Sequence, residues 1–299
     1  MIQDKRSGVD RGMEPCSSHD TCRAAAWVTE EASLTEPSVI RRELEPGIHL
    51  VELNRPERLN AISIGLLEAL HAELAILAED RTARVVVLTG RGRGFCAGLD
   101  LAELGDGGGP GPAQARMRHQ KRLAALMTAL RALPQPVIAA VNGAATGGGL
   151  ALALACDVRI AGSSARFGDA FVRIGLSGCD VGVSWLLPRL IGASRAFELL
   201  LTGRVIDSAE ADRIGLVSRV VADHELLQRA IAVAREIVAN SPFGVRLTKE
   251  VMWNQLEIGS MTAGIALENS TQVMTTFTQD QAEAVTAFRE QRPAEFFDR

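Results

Sequence analysis

From Val39 onward, apolar and polar positions recur with periods that predict a succession of strands and helices. Val39 to Leu44 and His49 to Leu53 are short alternating runs on either side of Glu45-Pro46-Gly47, the pattern of a hairpin. Ser63 stands where a helix N-cap belongs, ahead of Leu66, Leu67, Leu70, Leu74 and Leu77, whose three- and four-residue spacing predicts an amphipathic helix. Arg84 to Thr89 contains Val-Val-Val-Leu, short and β-branched enough for a strand buried on both faces. Leu123, Leu126, Met127, Leu130 and Leu133 mark a second helix, which Pro134 and Pro136 terminate. The same grammar then repeats: a strand from Val137 to Val141, a glycine-rich turn, and a helix from Leu150 to Cys156.

Beyond this repeat, Arg159 to Ala161 and Ala165 to Gly168 read as short strands. The chain is mostly helical from Asp180, with one strand-like interval at Leu216 to Val221. Helical patterns over Glu225 to Val238, Val245 to Leu256 and Glu283 to Glu290 complete it. Strands alternating with helices predict an α/β core with a helical tail packed on it or on a neighbouring subunit. Residues 1–38 mix both charges with Gly, Pro and Ser and read as a disordered extension without the apolar segment of a secretory signal. Gly105 to Pro112 reads as a mobile loop.

Charge and composition narrow the partners. Against 32 basic residues stand 36 acidic ones, a formal charge of −4, so no global basic field exists to hold a phosphate backbone. Aromatic residues are 4% of the chain and Tyr is absent, which leaves no platform for stacked bases. Nucleic acid is therefore not expected as a partner. The richest apolar stretch, Val137 to Cys156, is broken by Asn142, Gly143 and Gly147 to Gly149, so no membrane span is expected. Cys16, Cys22, Cys96, Cys156 and Cys179 form no C-x-x-C pair; neither a disulfide framework nor a metal site is predicted, and a reducing cytoplasm fits best.

The candidate chemistry lies in two glycine turns. Gly94-Phe95-Cys96-Ala97-Gly98-Leu99-Asp100-Leu101 follows the Arg84 to Thr89 strand, and Asn142-Gly143-Ala144-Ala145-Thr146-Gly147-Gly148-Gly149 precedes the Leu150 helix. Glycines there let the backbone approach a ligand closely and leave amide N–H groups free to point at it. Taken singly, each turn reads first as a tight strand-to-helix connection, the usual use of glycine there. Gly90-Arg91-Gly92-Arg93-Gly94 lacks dinucleotide-binding spacing, and no phosphate-loop lysine, G-x-S-x-G elbow or H-E-x-x-H pair occurs.

Several separated segments together resemble the crotonase (enoyl-CoA hydratase/isomerase) superfamily. These are Asn54-Arg55-Pro56-Glu57-Arg58-Leu59-Asn60-Ala61, Phe95-Cys96-Ala97-Gly98-Leu99-Asp100, Pro136 through Gly143, and Gly147-Gly148-Gly149. The likeness continues through Ala165-Arg166-Phe167-Gly168, Leu187-Pro188-Arg189-Leu190-Ile191-Gly192, Leu201-Thr202-Gly203-Arg204 and Gly215-Leu216-Val217. It implies an α/β fold, a crotonase-type spiral of β-β-α turns over residues 39–240, with a C-terminal helical trimerisation region over 241–299. It also implies homotrimers or dimers of trimers. The implied substrates are acyl-CoA thioesters, with coenzyme A entering as part of the substrate and no separate cofactor. By motif match the backbone amides of Leu99 and Gly148 form an oxyanion hole, while Arg58, Ala61, Ala97, Leu99 and Phe288 hold the coenzyme A portion. Where the family often has Lys this chain has Gln291, which leaves Arg292 as the candidate for a phosphate.

The departures from the family pattern bear on the activity. Hydratases of this superfamily use two glutamates, and the matching positions here hold Ala151 and Phe171, neither of which moves a proton. Gly178-Cys179-Asp180-Val181-Gly182 resembles the segment that presents an aspartate to substrate in dienoyl-CoA isomerases and aromatic acyl-CoA dehalogenases. Asp180 is thus the expected acid and base of a double-bond isomerisation. The alternatives are a hydrolase or dehalogenase with Asp180 as nucleophile, a non-catalytic acyl-CoA-binding homologue, and simple N-capping by Asp180 of a helix over Val181 to Leu190. Asp100 reads as the cap of a short helix, His119 as part of a solvated basic face, Cys96 and Cys156 as small buried residues, and Trp185 and Phe171 as walls of an acyl pocket or core.

Overall fold

A computed structural model of the chain describes residues 36–104 and 112–298. The extension expected over 1–38 therefore lies almost wholly outside the described residues, as does the loop expected from Gly105 to Pro112, of which only Pro112 is described.

The chain order is β1 (Val39–Glu45), β2 (Ile48–Leu53), α1 (Ile64–Glu79), β3 (Val85–Gly90), β4 (Gly94–Cys96), α2 (Ala113–Ala132), β5 (Val137–Val141), β6 (Ala144–Thr146), α3 (Gly148–Ala155), β7 (Val158–Gly162) and β8 (Arg166–Gly168). It continues through α4 (Val183–Ile191), α5 (Ala193–Thr202), β9 (Val205–Asp207), α6 (Ser208–Arg213), β10 (Arg219–Val221), α7 (Leu226–Val238), α8 (Pro242–Gln255), α9 (Met261–Thr275) and α10 (Gln279–Glu290). The hairpin, the Ser63 cap and the central strands stand where the periodicity predicts them. The Ser63 hydroxyl accepts from the Leu66 N–H at 3.1 Å.

Two sheets result. The larger has the order β1-β2-β3-β5-β7-β10, antiparallel at β1–β2 and parallel at the other pairings; the smaller has the order β4-β6-β8-β9. After the β1–β2 hairpin, which stays in the larger sheet, each successive pair of strands gives its first member to the larger sheet and its second to the smaller, so β3 and β4, β5 and β6, then β7 and β8 climb both sheets together. Because side chains alternate across a strand, Val85, Val87, Ile138 and Ala140 face α7, where they meet Leu226, Ala230, Ile231 and Ala234. Val86, Leu88, Val137 and Ala139 face the other way, into the main core with α1, α2 and α3. Burial on both faces explains why these strands read as unbroken apolar runs. Every residue of α3 is buried, which suits a helix that is apolar all round.

Some elements were not visible in the pattern. The three-residue strands β4, β6 and β9 are too short to show a period. The helix α2 begins at Ala113, ahead of the apolar stripe that starts at Leu123, because its first turns are exposed and charged. Only Gly264 of α9 is buried, so that helix carries no stripe at all.

Candidate active site

The segment after β2 builds the first glycine turn. Asn60 adopts a left-handed conformation (φ 56°) and is fully buried. Its Oδ1 accepts from the Arg55 N–H at 2.8 Å, and its Nδ2 donates to the carbonyls of Arg91 at 3.0 Å and Gly94 at 2.7 Å. The Ala97 N–H donates to the Leu59 carbonyl at 3.0 Å, which ties the turn to the same segment. Ile62 completes the clamp: its N–H donates to the Gly98 carbonyl at 2.7 Å, and its carbonyl accepts from the Asp100 N–H at 3.0 Å. This is a parallel bridge to Leu99, in which both bonds go to the residues flanking Leu99 and its own N–H points away. Arg55 adds a part-buried ion pair with Asp100 at 2.9 Å and donates to the Ala61 carbonyl at 2.7 Å. Burial works against the Asp100 charge, but the Arg55 bond and the Ala102 N–H hold its carboxyl below the usual range. Asp100 does cap the short helix that follows, as expected, and it anchors Arg55 as well.

The second turn begins where β6 ends. Thr146 Oγ1 donates to the Ala97 carbonyl at 2.9 Å, and the Gly147 N–H donates to the Gly168 carbonyl at 2.9 Å. Gly147 has φ 52°, a conformation that side chains rarely adopt. Gly149 approaches β4 so closely that a Cβ there would stand 1.9 Å from the Cys96 carbonyl oxygen. Gly148 opens α3, so its N–H has no intrahelical acceptor and sits at the positive end of the helix dipole. The position of a Cβ on Gly148 would lie 4.0 Å from the Leu99 nitrogen and 3.8 Å from the Gly98 Cα. The Leu99 and Gly148 peptides are thus neighbours, and among the described residues no carbonyl accepts from either N–H. Two fixed donors side by side suit one oxygen that gains negative charge during a reaction.

No carboxylate stands at the two positions where hydratases have glutamate. Ala151 is fully buried within α3, and the Phe171 ring lies over Gly147, 3.3 Å from where its Cβ would be. Asp180 is half-buried; its Oδ1 accepts from the Gln120 side chain of α2 and from the Val181 N–H at 2.7 Å. The alternative reading of Asp180 as a side-chain cap is not what the structure holds: α4 starts at Val183 with Gly182 as N-cap, and only the Asp180 backbone carbonyl accepts from the Val183 N–H, at 2.8 Å. Between them Val181 has φ 39°, a strained conformation for a β-branched residue.

Asp169 went unnoticed in the sequence. It follows β8 directly, is fully buried, and neither carboxyl oxygen has a hydrogen-bond partner among the described residues. Burial, reinforced by the charge of Asp180, pushes its carboxyl up to about 7. Gln120 likewise carried no signal, since a glutamine in a polar helix face looks like any solvated residue.

The residues matched to coenzyme A binding are only partly brought together. Arg58 is exposed next to the first turn, where its charge reaches Asp100. Ala61 and Ala97 belong to the hydrogen-bonded clamp just described. Phe288, by contrast, stands 85% exposed on α10, and this chain does not pack it with the others. Arg292 is engaged with Glu283 at 2.6 Å and Glu290 at 2.7 Å, which occupies the guanidinium proposed for a phosphate. Of the two roles expected for Trp185, wall of an acyl pocket or core, the structure holds the second: it packs partly buried against the main core with the guanidiniums of Arg131 and Arg189 over its ring, and it lines a groove of about 1120 Å³ among α4, α8, α9 and α10 that none of Leu99, Gly148 and Asp180 borders. Cys96 and Cys156 are buried, each thiol pushed up to about 12 by that burial, whereas Cys179 is exposed. Among the described residues no cluster of His, Cys, Asp or Glu could hold a metal ion, and no helix is long and apolar enough to cross a membrane.

The double spiral and its paired glycine turns define a crotonase-fold protein, and comparison with known proteins agrees. A family model described as enoyl-CoA hydratase/isomerase matches residues 43–299, so the chain belongs to that family. It is 43% identical over 281 residues to "Probable enoyl-CoA hydratase EchA12" of Mycobacterium tuberculosis, covering 92% of this chain and 98% of that protein. It is 38% identical over 262 residues to the 1,2-epoxyphenylacetyl-CoA isomerase of Escherichia coli, covering 86% and 97%. The crystal structure of a probable enoyl-CoA hydratase/isomerase from Mycobacterium abscessus superposes with a TM-score of 0.82 at 42% identity, covering 88% of this chain and 99% of that one.

Proposed function

We propose that this member of the family binds an unsaturated acyl-CoA with its thioester oxygen between the N–H groups of Leu99 and Gly148, and shifts the double bond by proton transfer at Asp180. The Asp180 carboxylate takes a proton from the α-carbon. The electron pair moves onto the thioester oxygen, where two preorganised donors hold the enolate at a saving on the order of 3–4 kcal/mol each. The protonated Asp180 then returns the proton at the γ-carbon, so no atom is gained or lost and no cofactor is consumed. The observation that carries the reading is that two unpaired backbone donors coexist with apolar residues at both hydratase glutamate positions, leaving Asp180 as the matched carboxylate. The strained Val181 supports it, because backbone strain clusters where a side chain must be held for function. Two-glutamate hydration would need groups that Ala151 and Phe171 lack.

The reading extends to assembly and setting. Met261 at 81% exposure, Phe277 at 85% and Phe288 at 85% on and between the last helices support a homotrimer or a dimer of trimers. A cytoplasmic setting belongs to the same proposal.

The test is deuterium exchange. In D2O, wild-type protein should exchange the α-proton of a 3-enoyl-CoA for deuterium by return of the enolate, deliver deuterium to the γ-carbon as the double bond shifts, and release the 2-enoyl-CoA without a 3-hydroxy product. Asp180→Asn should slow this by about 10²- to 10⁴-fold, the usual worth of one acid–base group. A covalent acyl or aryl adduct at Asp180 would instead establish nucleophilic use, and tight CoA-ester binding with neither signal would establish a binding protein.

A further inference from the structure

Asp169 is the buried group that this mechanism leaves unused. It is the residue after Gly168, whose carbonyl fixes Gly147 at 2.9 Å, and so it adjoins the second glycine turn. Its side chain runs under the loop that carries Asp180: a Cβ on Gly178 would stand 2.8 Å from Asp169 Oδ2 and 2.9 Å from the Leu200 carbonyl. Gly178 is therefore a close-approach position over the Asp169 carboxyl. On the other side, a Cβ on Gly203 would lie 3.2 Å from the Asp169 carbonyl oxygen.

Charged and titratable groups are available on every element around it. Arg166 lies on β8, Asp207 on β9, Arg173 in the turn after Phe171, Glu198 on α5, Arg204 just after α5, and Cys179 with Asp180 in the loop. None of them hydrogen-bonds either Asp169 oxygen. Arg204 is spent on Glu198 and Glu210, each at 2.7 Å, and Arg166 donates to the Ala165 carbonyl at 2.8 Å. A fully buried carboxyl without a cation or donor favours its neutral form.

We propose that Asp169 is a positioning residue that acts through Asp180: as a neutral acid it lets the Gly178–Asp180 loop lie closed over it, and its ionisation sets two like charges under that loop and pushes Asp180 out of its working pose. The proposal rests on Asp180 being the acid–base group. Its titration near 7, which burial and the Asp180 charge both favour, places the transition in the physiological range.

The experiment is an infrared pH titration of the full chain carrying ¹³C-labelled aspartate, run in parallel with the α-proton exchange assay. A protonated carboxyl band should persist in wild type to about pH 7, be absent from Asp169→Asn, and titrate lower by about one unit or more in Asp180→Asn, where the like charge is gone. In the exchange assay, wild type should lose rate above about pH 7 through kcat, with KM little changed, and Asp169→Asn should lack that alkaline fall. A purely structural role would move thermal stability but leave the shape of the pH profile alone. The proposal is overturned if no aspartate stays protonated above pH 6, if Asp180→Asn leaves the band unmoved, or if the Asp169→Asn profile overlays that of wild type. If Asp169→Asn does not fold, wild type and Asp180→Asn still decide through the infrared band. If wild type exchanges no proton at any pH, the isomerase reading fails separately, and the band and its response to Asp180→Asn decide the coupling.

Discussion

The glycine turns and the segment from Asp169 to Val181 meet at the end of β8, yet they are built by opposite means. In the turns, position comes from the backbone: Ile62 brackets Leu99 with two hydrogen bonds, and Gly149 lies so close to Cys96 that no side chain fits between. In the second segment, position comes from side chains under tension, with a buried acid lacking partners, a β-branched residue at φ 39° and Asp180 held by Gln120. The first arrangement is fixed by close backbone contacts. The second stores unfavourable energy in the groups that adjoin the proposed chemistry, as functional sites commonly do.

The contrast can be broken first on its rigid side. Gly149→Ala forces a methyl group into the Cys96 carbonyl and should cost roughly 3–5 kcal/mol or prevent folding, as read by urea denaturation. A variant as stable as wild type would mean that the close approach yields easily.

The next effect concerns the strained side and has a definite sign. Asp169 ionises near 7 in the folded chain and near 3.8 when unfolded. Below the lower value both states are protonated and nothing is lost. Between the two values the unfolded chain sheds its proton while the folded chain keeps it, so stability falls as pH rises, then levels off above about 7. Asp169→Asn abolishes this loss. Its stability relative to wild type should rise from pH 4 to pH 8 by as much as about 4 kcal/mol, measured by denaturant melts at both pH values. A pH-independent difference would contradict the assignment.

A smaller effect sharpens the comparison. Asn60→Ala should cost about 2–3 kcal/mol, because the buried donors and acceptors it satisfies at Arg55, Arg91 and Gly94 lose their partner and alanine resists φ 56°. Asn60→Gly relieves the backbone part and should recover up to about 1 kcal/mol, while an equal loss in both variants would show that the conformation contributes nothing.

The same contrast explains how much was legible beforehand. A positive φ or a close approach demands glycine, so Gly147, Gly148 and Gly149 announce the turn in the letters themselves, and Val-Val-Val-Leu and Val-Ile-Ala-Ala-Val announce strands buried on both faces. The emptiness of the hydratase positions was equally readable at Ala151 and Phe171. Asp169 was not, because what distinguishes it is the absence of neighbours, and that depends on where Gly178, Leu200 and Gly203 come to lie. The alternative of Asp180 as a side-chain cap is not met for a related reason: Val181 and Gly182 both turn to positive φ, which delays the helix to Val183. Phe288 stands 85% exposed on α10, so a contact of that residue with the coenzyme A portion would be made by a group outside its own packed core, as a site shared between subunits would require.

The most direct measurement is a crystal structure with a bound, non-isomerisable acyl-CoA thioester. The thioester oxygen should lie about 2.7–3.1 Å from both the Leu99 and the Gly148 nitrogen, with a carboxyl oxygen of Asp180 facing the α-carbon. A thioester seated elsewhere, or bonded to only one of these nitrogens with Asp180 turned away, would contradict the account.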